Sequence, residues 1–244
     1  ALSQPTLFML EYALAQLWRA RGVVPDVVVG HSVGEIAAAC VADVMDMEHG
    51  VRLAIERGRL MQSLPEGGAM AALNADAGQV EALLATHGDR SVMAAHNAPQ
   101  QVVISGDLDA IEGVIDAAHS AGLRARVLPV SRAFHSPRMT PIAADLEAWL
   151  GAVPLRAPKV PFVSTVTGAQ DAEQCATAAY WRAQIERPVR FADAVRQVAT
   201  MDIDLFIECG PHTTLLGLGR RCLEHQDAQW LPSLRRGHDD AAIM

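Results

Sequence analysis

Val27-Val28-Val29-Gly30-His31-Ser32-Val33-Gly34-Glu35-Ile36-Ala37-Ala38-Ala39-Cys40-Val41 is the stretch on which the reading of the fold turns. Three β-branched residues between Pro25-Asp26 and Gly30 read as a short buried strand of the kind found in parallel sheets. Val33, Ile36, Ala37, Cys40 and Val41 then recur at i, i+3, i+4, i+7 and i+8, which is one face of a helix. Between strand and helix, Gly30 to Gly34 fits G-x-S-x-G. That pattern alone is weak, but a strand before it and a helix after it are the setting of a nucleophile elbow. The flanking glycines permit a sharp turn. Ser32 would then project its hydroxyl, and the amide of Val33, backed by the helix dipole, could stabilise an oxyanion. The bland alternative is a glycine-containing turn with a capping serine.

Outward from this stretch the chain alternates. A helix runs from Gln4 to about Arg21, closed by Gly22 and Pro25. Another runs from about Met47 to Leu64, before Pro65-Glu66-Gly67-Gly68. From Ala69 to Leu128 the pattern is strand (69–73), helix (76–87), strand (91–96), strand (101–105), helix (108–121), strand (124–128). That is the ferredoxin-like order. Ser136-Pro137 reads as a helix start, with Met139, Ile142, Leu146, Trp149 and Leu150 facing inward. A strand at Val160–Ser164, helices at Tyr180–Ile185 and Phe191–Thr200, a strand at Leu205–Cys209 and a helix at Thr213–Leu223 follow. The tail from Gln226 reads as polar and peripheral. The expected architecture is α/β, with a large subdomain (1–68 and 129–244) interrupted by a small one (69–128).

Composition narrows the function classes. Of 244 residues, 50% are hydrophobic, enough to bury a core without disulfides or metal. Twenty basic against 28 acidic residues leave a net charge of −8, and Lys159 is the lone lysine, which argues against nucleic-acid binding. No apolar run is long enough to span a membrane, and no signal peptide is evident. The four cysteines form no C-x-x-C pair, so neither a metal site nor a disulfide framework is expected, and reduced thiols point to a cytoplasmic setting.

A nucleophilic serine needs a base. His31 is adjacent in sequence and would point away on an elbow. His135 precedes a helix in an apolar loop. His212 follows a strand, and with Asp204 or Glu208 it would meet the chain order Ser…acid…His of common hydrolases. Spacing does not choose between His135 and His212.

Gly30-His31-Ser32-Val33-Gly34-Glu35 and its alanine-rich helix resemble the acyltransferase family that loads malonyl-type units onto acyl carrier proteins. That family comprises the malonyl-CoA:acyl-carrier-protein transacylases and the acyltransferase domains of modular polyketide synthases. Further blocks carry the resemblance in family order from Gln4 to Leu234: Glu56-Arg57-Gly58-Arg59-Leu60-Met61-Gln62, His96-Asn97-Ala98-Pro99 with Val102 to Gly106, and Ala133-Phe134-His135-Ser136. Trp181 to Phe191, with Gln184 and Arg187-Pro188-Val189, and Glu208-x-Gly210-Pro211 complete it.

The resemblance implies an α/β-hydrolase-like large subdomain with a ferredoxin-like insert. It makes Ser32 the nucleophile and His135 its general base, a Ser-His dyad without a charged third member. Gln184 would hold the histidine through a carbonyl. Arg57 would bind the free carboxylate of a malonyl group, Met61 would line the pocket, and Asn97 would stand near the site or in a hairpin role. Phe134 and Val33 resemble the malonyl rather than the methylmalonyl type. A ring at Phe134 would fill the space of an α-methyl, a preference of about 1–3 kcal/mol. Malonyl-CoA would be the substrate and no bound cofactor is implied. The partners would be an acyl carrier protein, through its phosphopantetheine thiol, and neighbouring synthase domains. Arg187 and Arg190 are candidates for carrier docking. Two departures stand out: Arg132 occupies a position where the family often has histidine, and the family's opening strand, with a Gly-Gln-Gly motif that helps build the oxyanion hole, has no counterpart before Ser32. The competing readings are a serine hydrolase using His212 and a non-catalytic carrier-binding module short of that strand.

Overall fold

The computed structural model describes residues 2–224, 227–235 and 237. The chain opens with α1 (Ser3–Ala20), β1 (Val28–Val29), α2 (Gly34–Val41) and α3 (Met47–Ser63). Asp46 caps α3 by accepting from His49 N–H at 2.9 Å. Gly50 of α3 is required where α1, α2 and α3 meet. A Cβ there would lie 2.4 Å from Cys40 Sγ and 2.6 Å from the Phe8 ring. The expected one-sided burial of α2 is corrected, because every residue from Glu35 to Val41 is buried. A helix apolar all round sinks into the core on all faces.

The middle of the chain runs β2 (Gly68–Asn74), α4 (Ala77–Leu84), β3 (Ser91–Ala98), β4 (Gln101–Asp107), α5 (Leu108–Ser120) and β5 (Arg124–Val127). An Asp76–Gln79 capping box starts α4. The four strands form one sheet in the order β3-β4-β2-β5, with every neighbouring pair antiparallel. One face packs α4 and α5 through Leu73, Val80, Ile104, Ile111 and Val114. The other face packs Met70, Ala94, Ala95 and Val103 against Val189, Phe191 and Val195. β3 is irregular against β4, with register shifts between Met93 and Ala95 and between His96 and Ala98. Asn97 lies within the second shift.

The rest comprises α6 (Thr140–Leu150), β6 (Phe162–Val163), β7 (Gln170–Asp171), α7 (Ala178–Glu186), α8 (Phe191–Ala199), β8 (Leu205–Glu208), α9 (Thr214–Cys222) and β9 (Gln229–Pro232). The helix expected at Ser136-Pro137 opens as a 3-10 turn, Pro137–Met139, before α6. The main core joins α1, α2, α3, α6 and α7 around Phe8, Ile36, Phe162 and Trp181. β1 pairs parallel with β6, and β8 pairs parallel with β9. Between β1 and β8, whose facing edges pair with no strand among the described residues, lies a groove of about 830 Å³, lined by Val27–Val29, Ala37, Val41, Val195, Val198 and Leu205–Glu208.

The expectation of a peripheral tail is corrected where the tail is described. β9 pairs with β8, and Trp230 stacks on Phe206 with centroids 4.2 Å apart. Buried Ser233 accepts from Trp18 Nε1 at 2.8 Å. The polar composition concealed one aromatic anchor, Trp230, that repays ordering the strand. Positions 225–226, 236 and 238–244 of that tail lie outside the described residues.

Candidate active site

Ser32 stands where β1 turns into α2. Gly30 is the residue that allows the turn, since a Cβ there would come within 2.4 Å of Glu35 Cα. Gly34 N–H donates to His31 O and Glu35 N–H to Ser32 O, which closes the bend. Ser32 itself takes φ +53°, a left-handed conformation uncommon for a side-chain-bearing residue. Val33 is the N-cap of α2, and its N–H donates to no protein group among the described residues. It is free to face a negative charge at a helix N-terminus.

His135 arrives from a loop 103 residues away, and its Nε2 lies 2.7 Å from Ser32 Oγ. It also has positive φ, at +55°. Ser136 secures the loop by donating to Ala133 O at 2.6 Å and accepting from Arg138 N–H. His135 Nδ1–H donates to the backbone carbonyl of Arg187 at 3.0 Å. That bond leaves Nε2 bare to accept the serine proton. Burial, then the nearby Arg57 and His31, push His135 down to about 3, so the ring is neutral. Gln184, expected to hold the histidine through a carbonyl, does set its backbone oxygen against the His135 ring beside that of Arg187, and its side chain reaches the other residue, with Nε2 donating to Ser32 O at 2.7 Å. The carbonyl on Nδ1 belongs to Arg187, beyond the end of α7, where backbone oxygens have no helical partner.

Arg57 lies in the middle of α3 and is buried. Its Nη2 donates to Ser32 Oγ at 3.1 Å and its Nη1 to Gln4 Oε1 at 2.6 Å, while its Nε has no partner among the described residues. No carboxylate lies within ion-pair distance of it among the described residues. Burial lowers its pKa to about 10, against the opposing pull of Glu35, and it stays charged at neutral pH. A buried cation without a paired anion is costly unless an anion arrives. Met61, one turn on, is buried and accepts from Gln4 Nε2 at 3.2 Å. Phe134 packs against both the main core and the core under β3.

Asn97 does not stand alone at the site. Its Oδ1 accepts from His31 Nε2–H at 2.8 Å, and the His31 ring packs on Phe191 at 5.5 Å. Burial lowers the His31 pKa, so His31 is a neutral donor. Two residues escaped the sequence reading. Glu35, buried beneath the elbow, accepts from Thr165 N–H and from Tyr180 O–H, each at 2.8 Å. A lone acid inside an alanine-rich helix was the signal for it. Gln4 carried no signal. Arg132, the departure from the family pattern, is buried and donates to Glu66 Oε1 at 3.3 Å and Gln62 O at 3.4 Å, which ties the His135 loop to the end of α3.

The hydrolase arrangement is not assembled. His212 and Asp204 are exposed, and both Glu208 oxygens accept from Leu215 and Leu216 N–H at the start of α9. The hydrogen bond of Ser32 goes to His135 instead.

Residues 1–244 match the acyl transferase domain family. The Streptomyces halstedii polyketide synthase GfsB is 44% identical over 241 residues, covering 96% of this chain and 4% of its own length. The acyltransferase domain from the second module of the salinomycin polyketide synthase superposes with a TM-score of 0.94 at 40% identity, covering 99% of this chain and 57% of that one. The malonyl CoA-acyl carrier protein transacylase of Coxiella burnetii gives 0.89 at 32% identity, covering 94% and 74%. The chain thus spans a small part of the curated synthases and just over half of the first of these structures. A glycine-flanked serine bonded to a neutral histidine, beside a buried arginine and within this likeness, leads to one conclusion: the chain belongs to the acyl transferase domain family.

Proposed function

We propose that this chain transfers a malonyl unit from coenzyme A to the phosphopantetheine thiol of an acyl carrier protein in polyketide assembly. The observation that carries it is Arg57, a buried cation without an anion, 3.1 Å from the nucleophilic oxygen. A guanidinium grips a carboxylate through two N–H groups and keeps its charge when buried. An acyl group ending in a carboxylate therefore suits the site better than a neutral one.

The chemistry runs in two halves. His135 Nε2 takes the Ser32 proton as Oγ attacks the thioester carbonyl. The Val33 N–H faces the oxyanion. Coenzyme A leaves as the thiol with that proton, and a malonyl ester remains on Ser32. The carrier thiol then gives its proton to His135, attacks the ester and restores Ser32. Among the described residues, no charged side chain is bonded to the histidine. Arg187 O fixes its tautomer, and Gln184 steadies the serine backbone. Phe134 beside the dyad supports a preference for malonyl over methylmalonyl.

The strand order of the 69–128 insert supports a ferredoxin-like small subdomain, and the elbow supports an α/β-hydrolase-like large one formed by 1–68 and 129–244. The carrier protein, coenzyme A and neighbouring synthase domains are the partners of this reading. Exposed Arg187, whose carbonyl holds His135, is a candidate contact for an acidic carrier, whereas Arg190 is engaged with Asp193 at 2.8 Å.

The test is Arg57→Ala, with serine acylation by malonyl-CoA and acetyl-CoA compared. Malonyl acylation should fall roughly a hundredfold, the loss of about 3 kcal/mol of charged hydrogen bonding. Acetyl acylation should not fall with it. An unchanged ratio of the two would refute the carboxylate role.

A further inference from the structure

The guanidinium of Arg57 can meet a carboxylate squarely only if its plane is set beforehand. Ser32 Oγ cannot set it, since that oxygen must leave its hydrogen bond to react. The other contact is Gln4, in the first turn of α1, whose Oε1 accepts from Arg57 Nη1 at 2.6 Å. The Gln4 amide is itself oriented from the far side, because its Nε2 donates to Met61 Sδ at 3.2 Å. The pairing therefore runs N–H to sulfur and oxygen to guanidinium, each atom in its proper role. Buried Pro5, the next residue, fixes this end of the helix. Gln4 is polar but uncharged, so it orients the cation without neutralising it.

We propose that Gln4 is a positioning residue for acyl selection: its amide oxygen sets the plane of Arg57 and leaves the charge free for an incoming carboxylate. The inference rests on the carboxylate-binding role given above to Arg57. A carboxylate at position 4 would pair with the same Nη1 and satisfy the cation internally. Gln4→Glu should thus act as a built-in competitor for the malonyl carboxylate. An alanine there should free the guanidinium to turn.

The experiment measures acylation of Ser32 by malonyl-CoA and by acetyl-CoA in the 244-residue chain, its Gln4→Glu and Gln4→Ala variants, and Arg57→Ala. Gln4→Glu should raise the apparent KM for malonyl-CoA by at least about tenfold with little change in the maximal rate, and leave acetyl acylation equal or faster. Gln4→Ala should raise the malonyl KM by a smaller factor and spare acetyl. If Arg57→Ala lowers malonyl selectivity while Gln4→Glu leaves it within about twofold of the parent, Gln4 has no positioning role and the proposal is overturned. If Gln4→Glu slows both acyl groups equally, the residue is merely structural and the proposal is likewise overturned. If Arg57→Ala leaves selectivity unchanged, the reading of Arg57 fails first, and the role of Gln4 falls with it.

Discussion

Ser32 and His135 are both held in left-handed backbone, at φ +53° and +55°. Each such residue costs on the order of 1–3 kcal/mol, a strain typical of sites where geometry matters more than stability. The result is a 2.7 Å contact between a hydroxyl and a neutral imidazole. Neutrality has a testable consequence. The folded-state pKa of His135 is depressed from 6.5 to about 3 by burial, so the ring stays neutral, as the proposed base must be, far below the usual range. The rate of Ser32 acylation should therefore be flat across roughly pH 5 to 8, without the tenfold loss per unit that a free imidazole would impose below 6.5. A stopped-flow pH profile with an inflection near 6.5 would contradict this. The same shift sets a stability window. Keeping His135 uncharged contributes stability above 6.5, and that contribution is lost as pH falls from 6.5 toward 3. At this scale Ser32 was legible, because its glycines are local. His135 was not separable from His212 by spacing, and resemblance singled it out. The Arg187 carbonyl is backbone, which side-chain identity does not report.

Among the elements, β3 holds the chain neighbour of Ser32 and the segment that meets His135. Asn97, within a register shift, turns its side chain onto His31 beside the nucleophile. One residue earlier, His96 N–H donates to Val189 O, and Val189 N–H donates to Ala94 O, both at 2.9 Å. That second tie anchors the segment whose Arg187 carbonyl orients His135. The small sheet is thus a brace across the site. Asn97→Ala should leave the half-buried His31 N–H without an acceptor and cost about 1–3 kcal/mol of unfolding free energy in urea. A change below about 0.5 kcal/mol would mean that the His31 contact carries no weight. The helices and strands of this region were readable from periodicity. The register shift was not, since no turn residue marks it. The depth of α2 was misjudged for a related reason: alanines serve a buried face and a half-buried one equally well.

Across the whole molecule, the site collects pieces from distant parts of the chain. Gln4 and Arg57 come from α1 and α3, Ser32 from the β1–α2 turn, His135 from the loop before α6, and Arg187 from the end of α7. The elbow alone is local, which is why the serine could be read from residues and the rest needed either family likeness or the fold. The α/β alternation and the strands of the small sheet were legible because strand and helix periods differ. Strand β9 was not, because four residues of a polar tail show no period. The overall charge of −8 gives no attraction for an acidic carrier, so the docking proposed above would depend on local arginines. Intact-mass spectrometry of the chain after brief exposure to malonyl-CoA bears most directly on malonyl transfer through Ser32. A single malonyl adduct that is absent in Ser32→Ala, and lost when a phosphopantetheinylated carrier protein is added, is the expected result. An adduct that persists in Ser32→Ala, or its absence from the unaltered chain, would contradict the malonyl-serine mechanism.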